Sequence, residues 1–67
     1  MKFKVLFNGK KEEKVVDTDN YSINDLLKSM GLSPQTIVPK INNEIVIEDS
    51  IIQNNDEVKL IQVIYGG

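Results

Sequence analysis

The sequence predicts an α+β domain, with one mixed sheet of four to five strands and a single helix across one face, in the order ββαββ. Three observations carry this. Lys2 to Phe7 alternates in character and runs straight into Asn8-Gly9. Ile23, Leu26, Leu27 and Met30 recur at helical spacing behind Ser22 and stop at Gly31. Glu57 to Tyr65 is a second long alternating segment.

The elements follow in order. In Lys2 to Phe7, residues Phe3, Val5 and Phe7 share one face, against Lys2, Lys4 and Leu6 on the other. Asn8-Gly9 is a strong hairpin signal, because a type I′ turn needs positive φ at both central residues. Lys10 to Asp17 then returns as the second strand. Ser22 is a good N-cap, and Asp25 takes the capping-box position where Glu or Gln is more usual. Tyr21, just before the cap, can pack on Leu26 as a hydrophobic staple. Gly31 supplies the left-handed residue that ends the helix, and Leu32 can close over its last turn. A helix of about two turns is unstable alone and must be held by packing on the hairpin.

Ser33-Pro34 begins a loop. Ile37 to Ile41 is the next strand, with Pro39 pointing to an edge position because proline donates no ladder hydrogen bond. Asn42-Asn43-Glu44 reads as a turn into a short strand at Ile45 to Ile47. Glu48 to Asp56 reads as polar loop around Ile51-Ile52, with room for one short helical turn. Glu57 to Tyr65 is the final strand, expected beside the first and parallel to it in the sheet centre.

The chain has 67 residues, 40% hydrophobic and 27% charged, with a formal net charge of −2. That length suits one small domain. Its apolar runs fall far short of the ~20 residues of a membrane span. Met1-Lys2-Phe3-Lys4 is followed by no apolar h-region, so no secretory signal is expected. An intracellular, cytoplasmic protein is the expectation. A core this small supplies about 3–5 kcal/mol and leaves no room for a buried cofactor.

Cys, His, Arg and Trp are all absent. No disulfide, thiolate or imidazole metal ligand, or Ser-His or Cys-His nucleophile is available. All eight cations are lysines, facing ten carboxylates, and the pI near 4.9 argues against a general nucleic-acid binder. Any chemistry must use a carboxylate, a lysine, a tyrosine or a chain terminus.

Asp17-Thr18-Asp19-Asn20 starts like a calcium loop, but Tyr21 and Ser22 stand where the next oxygen ligand and the glycine belong, so the match fails. Glu48-Asp49 and Asp56-Glu57 are carboxylate pairs in expected surface turns, where solvated carboxylates are the ordinary case. Lys10-Lys11, with Lys2, Lys4 and Lys14, makes a basic area on the hairpin that Glu12-Glu13 dilute. In the last strand Val58, Leu60, Gln62 and Ile64 alternate with Lys59, Ile61, Val63 and Tyr65. Lys59 marks the second set as solvent-facing, yet Ile61, Val63 and Tyr65 continue it with apolar residues. Two readings stay open: a partner-binding patch, or a central strand buried on both faces.

The Gly66-Gly67 end is the sharpest feature. At ~7% glycine usage, such a pair at one fixed place is about a 0.5% event. Two residues without Cβ make the thinnest tail a chain can have. Such a tail can thread a narrow enzyme channel and bring its carboxylate to a nucleotide. Activated as an acyl-adenylate, that carboxylate becomes an electrophile for sulfide, thiol or amine.

With hairpin, capped helix and Gly-Gly end together, the chain resembles the ubiquitin-like β-grasp sulfur carriers over essentially all of residues 1–67. It is most similar to the ThiS type of thiamine biosynthesis, with the MoaD type next. Gln62-Val63-Ile64-Tyr65-Gly66-Gly67 is similar to the ThiS ending Gln-Val-Ile-Ala-Gly-Gly. Ser22-Ile23-Asn24-Asp25-Leu26-Leu27 matches its capped helix start. Asn42-Asn43-Glu44-Ile45-Val46 is similar to its Asn-Gly-Glu-x-Val turn. Tyr65 replaces the usual small residue, and Asn54-Asn55-Asp56 stands in place of an Asp-Gly-Asp turn.

The resemblance implies a β-grasp domain over 1–67 with a flexible tail at 66–67, and a carrier rather than an enzyme. An E1-like adenylyltransferase (ThiF or MoeB type) would use ATP to adenylate the Gly67 carboxylate. A sulfur donor such as a cysteine desulfurase would turn the adenylate into a thiocarboxylate. An acceptor would take the sulfur: thiazole synthase, the molybdopterin-synthase large subunit, or a tRNA- or cysteine-forming enzyme. Gly67 would carry the chemistry and Gly66 give access, while Tyr65, Val63 and Ile61 dock the partner. No metal, bound cofactor, nucleic acid or membrane is expected. Other readings are a ubiquitin-like modifier joined to lysines, and a non-catalytic binding module.

Overall fold

The computed structural model describes residues 1–64, and its opening element is the expected hairpin. Strand β1 (Lys2–Phe7) pairs antiparallel with β2 (Lys10–Val15), with Phe7 opposite Lys10 across the turn. Asn8 and Gly9 sit at φ 55° and 74°, the left-handed pair that a type I′ turn requires. Asparagine tolerates this because its short polar side chain bonds locally.

The two-residue strand β3 (Tyr21–Ser22) leads into helix α1 (Ile23–Met30), which starts at Ser22 and closes a full capping box. The Ser22 hydroxyl accepts from the Asp25 N–H at 3.1 Å, while the Asp25 Oδ2 accepts from the Ser22 N–H at 3.0 Å. Gly31 ends the helix at φ 70°, and the Leu32 N–H donates to the Leu27 carbonyl at 2.9 Å, the Schellman closure. Ile23, Leu26 and Leu27 are buried against Phe3, Val5, Ile37, Val58 and Leu60, in one cluster between helix and sheet. Tyr21 packs on that cluster, its ring 5.9 Å from the Phe3 ring.

Four more strands follow among the described residues: β4 (Ile37–Ile41), β5 (Glu44–Ile45), β6 (Ile51–Ile52) and β7 (Glu57–Gln62). Strand β4 lies antiparallel to β7, and β7 lies parallel to β1. The five-stranded sheet runs β2-β1-β7-β4-β5, so the last strand is central, as expected. Pro39 stands opposite Leu60. The flanking ladder bond from the Val63 N–H to the Thr36 carbonyl (2.8 Å) places Pro39 at a site that gives β7 no hydrogen bond. Its carbonyl accepts from the Val46 N–H on the other side, just past β5. Proline therefore costs the sheet little here, although β4 is not the outermost strand.

Other expectations are corrected too. The second strand, expected to reach Asp17, stops at Val15; Val16 still exchanges hydrogen bonds with Met1 at 2.9 Å in each direction, and Asp17 lies past the end of the pairing. The strand expected at Ile45 to Ile47 is cut to Glu44–Ile45, because Ile47 has run off the short edge and is 70% exposed. Asn42 and Asn43 make the preceding turn at φ 50° and 71° without a glycine. Ile51-Ile52 is neither loop nor helical turn. As β6 it pairs antiparallel with β3 in a separate two-stranded sheet, which buries Ile52 completely beside the helix start.

Candidate functional site

The sequence points to two functional features: the outward row of β7 and the Gly-Gly end. Tyr65, Gly66 and Gly67 lie outside the described residues. Ile61 and Val63 are both described, and both are exposed.

The register shows why. Val58 and Leu60 face the helix and are 0% and 3% exposed. Their neighbours Lys59 and Ile61 point to the opposite, uncovered face. There Ile61 stands directly across from Val38, and Lys59 lies between Leu6 of β1 and Lys40 of β4. Val63 continues the row, held by its N–H bond to the Thr36 carbonyl. Ile61, Val63, Val38 and Leu6 thus form an apolar strip on the outer face, leading to the point where the chain leaves the sheet. The alternative, a strand buried on both faces, does not hold.

The inward set also stops early. Gln62 and Ile64 share parity with Val58 and Leu60, yet both are exposed, Ile64 at 87%. The helix covers the sheet only as far as Ile37 and Leu60, so alternation outruns the core.

Of the carboxylate candidates, Asp56 and Glu57 have local structural roles. Asp56 accepts from the Asn42 Nδ2 at 3.0 Å and the Gln53 N–H at 2.8 Å. Asn42 Oδ1 accepts from the Glu57 N–H at 3.0 Å, which ties the start of β7 to the turn after β4. The Glu57 carboxylate pairs with Lys11 at 3.4 Å. In Asp17 to Asn20, the Thr18 hydroxyl accepts from the Asn20 N–H, an ordinary side-chain turn. The hairpin lysines divide by register: Lys2, Lys4 and Lys11 face outward with Leu6, while Lys10 and Lys14 lie on the helix side. The shifted Asp25 carboxyl is held below its ordinary 3.8, first by the Ser22 backbone N–H and then by its hydroxyl. It is a capping group on the surface.

Leu6 and Lys59 lie on the outer face, as the alternation of their strands places them; Val38 and Lys40 join them there, but the sequence marks those two only as strand residues. The signal that could have found them is the pairing register, which no single strand contains.

A five-stranded mixed sheet holding one helix, with parallel first and last strands at its centre, is the ubiquitin-like β-grasp. Solved structures agree on that fold. The thiamine biosynthesis protein ThiS of Geobacter metallireducens superposes at TM-score 0.71, with 19% identity over 100% of both chains. SAMP1 of Haloferax volcanii gives 0.66, with 17% identity over 98% of this chain and 97% of that one. A ubiquitin-like protein from Caldiarchaeum subterraneum gives 0.63, with 18% identity over 98% of this chain and 100% of that one. An uncharacterized protein of Archaeoglobus fulgidus is 34% identical over the full length of both chains. The ThiS family profile matches residues 4–67, and the chain belongs to the ThiS family.

Proposed function

We propose that this protein is a sulfur carrier whose Gly67 carboxylate is activated and thiolated, supplying sulfur for thiazole formation in thiamine biosynthesis. The carrying observation is the ThiS family match, which extends through Gly66-Gly67 to the last residue. The exposed Ile61 and Val63, on the strand that leads to that end, support the reading.

The chemistry is acyl activation. The Gly67 carboxylate attacks the α-phosphorus of ATP on an E1-like adenylyltransferase, and pyrophosphate leaves. The outer sulfur of a donor persulfide, of the kind a cysteine desulfurase forms, then attacks the acyl carbon, and AMP leaves; a thiol of the donor or activating enzyme cleaves the acyl disulfide so formed, releasing the thiocarboxylate and leaving a disulfide behind. The resulting thiocarboxylate gives its sulfur to thiazole synthase. The protein is a cosubstrate and holds no cofactor; the ATP belongs to its cytoplasmic partner. Gly66 lets the tail pass a narrow channel, because neither terminal residue carries a Cβ. Tyr65, Val63 and Ile61 dock the partner.

The test is intact mass of the protein from its native cells beside a form lacking Gly67. A species heavier by one oxygen-to-sulfur exchange, missing from the deletion, is the expected result. Failure of ATP and the adenylyltransferase to form an adenylate on the full chain overturns the proposal. Isopeptide conjugates that vanish with Gly67 would assign the activated terminus to lysine instead.

A further inference from the structure

We propose that Lys40 and Lys59 form a carboxylate-receiving site on the outer face, which docks an acidic, apolar-centred surface of the adenylating partner. This rests on the carrier reading above and adds the chemistry of the partner surface.

The observation is a pairing that an isolated sheet should avoid. Lys40 and Lys59 are directly opposite each other in the antiparallel β4–β7 pair. Like charges in that position destabilise a sheet. Neither lysine has an ion-pair partner among the described residues, whereas nearby Lys11 reaches Glu57 at 3.4 Å. Leu6 flanks Lys59 on its other side, so that neighbour offers no compensating carboxylate either. A partner carboxylate placed between the two ammonium groups would relieve the repulsion, and only the bound state would gain.

The wider distribution of charge points the same way. The outer face holds Lys2, Lys4, Lys11, Lys40 and Lys59 against Glu13 and Glu57, a surplus of three positive charges. The rest of the molecule holds three lysines against eight carboxylates, consistent with the formal net charge of −2. Beside the lysine pair, Ile61 and Val38 give an apolar centre of the kind interfaces bury, with a charged rim. A second copy does not fit, since two such faces would meet with like charge. Nor does a nucleic-acid strand: no aromatic among the described residues lies on this face for bases to stack on.

The substitution Lys40→Glu separates this role from a structural one. It replaces a repulsive cross-strand pair by a carboxylate facing Lys59, so the variant gains stability while it loses the partner. Affinity of the full chain for the adenylyltransferase is measured by titration calorimetry between low and high sodium chloride, beside urea unfolding. We expect the K40E urea midpoint to rise and binding to weaken about tenfold at low salt, with less salt dependence than wild type. The double variant K10E/K14E changes charge more, on the helix side, and should bind within about twofold of wild type. Adenylation of K40E with unchanged KM and affinity overturns the docking inference and leaves the carrier reading standing. Wild-type binding that ignores salt, or a dimer through this face in sedimentation, overturns it as well. Wild-type chain that neither binds nor is adenylated overturns both.

Discussion

Strand β7 uses the same kinds of side chain for opposite purposes on its two faces. Val58 and Leu60 are sealed under α1, while Ile61 and Val63 stand 37% and 36% exposed on the bare side. Burying an aliphatic side chain is worth about 1.5–3 kcal/mol, so the inner face holds the fold together and the outer one leaves that energy unspent. The difference is made by the helix, which covers one face only. A small β-grasp domain therefore keeps an apolar strip available for association without weakening its core.

The comparison is most easily broken from the inside. Leu60→Ala should destabilise the protein by about 2–5 kcal/mol, seen as a large drop in urea midpoint, because the side chain is buried in the core cluster. That is comparable to the whole stability of so small a domain. Ser22→Ala attacks the covering helix by removing its cap, at about 1 kcal/mol by thermal or urea unfolding. Ile61→Thr and Val63→Thr keep β-branching and strand preference. They should stay within about 0.5 kcal/mol of wild type in the same unfolding experiment, while raising the KM for enzymatic adenylation.

The smallest effect is a pH dependence of the helix start. The Asp25 carboxyl is lowered in the folded state, so its contribution is present above the ordinary value of 3.8. It is lost as pH falls through the lower folded value. The gap in urea midpoint between wild type and Asp25→Asn should therefore close as pH falls from about 5 toward 2. A gap that persists in acid would mean that the contribution of Asp25 does not depend on its charge.

Much of this was legible in the sequence where local chemistry and fold agree. Asn8-Gly9 names its own turn, and Ser22, Asp25 and Gly31 mark both helix ends. What escaped was non-local. Two-residue strands such as β3 and β6 contain no periodicity to detect, and Ile51-Ile52 pairs only because Tyr21-Ser22 is brought beside it. Ile45 to Ile47 has the composition of a strand, but the sheet ends within it. For the site, the sequence marked the apolar row of β7, where Ile61 and Val63 are exposed, and a Gly67 carboxylate that lies outside the described residues. It could not show that Lys40 faces Lys59, since that fact belongs to a register between strands 19 positions apart.

The parallel pairing of β1 with β7 has a consequence for biosynthesis. The centre of the sheet is completed by Glu57–Gln62, which leaves the ribosome after both of the strands it joins. Closing so long a loop is entropically costly and must wait for that strand. A chain interrupted before residue 57 lacks the partner of both β1 and β4 and has no route to the native sheet.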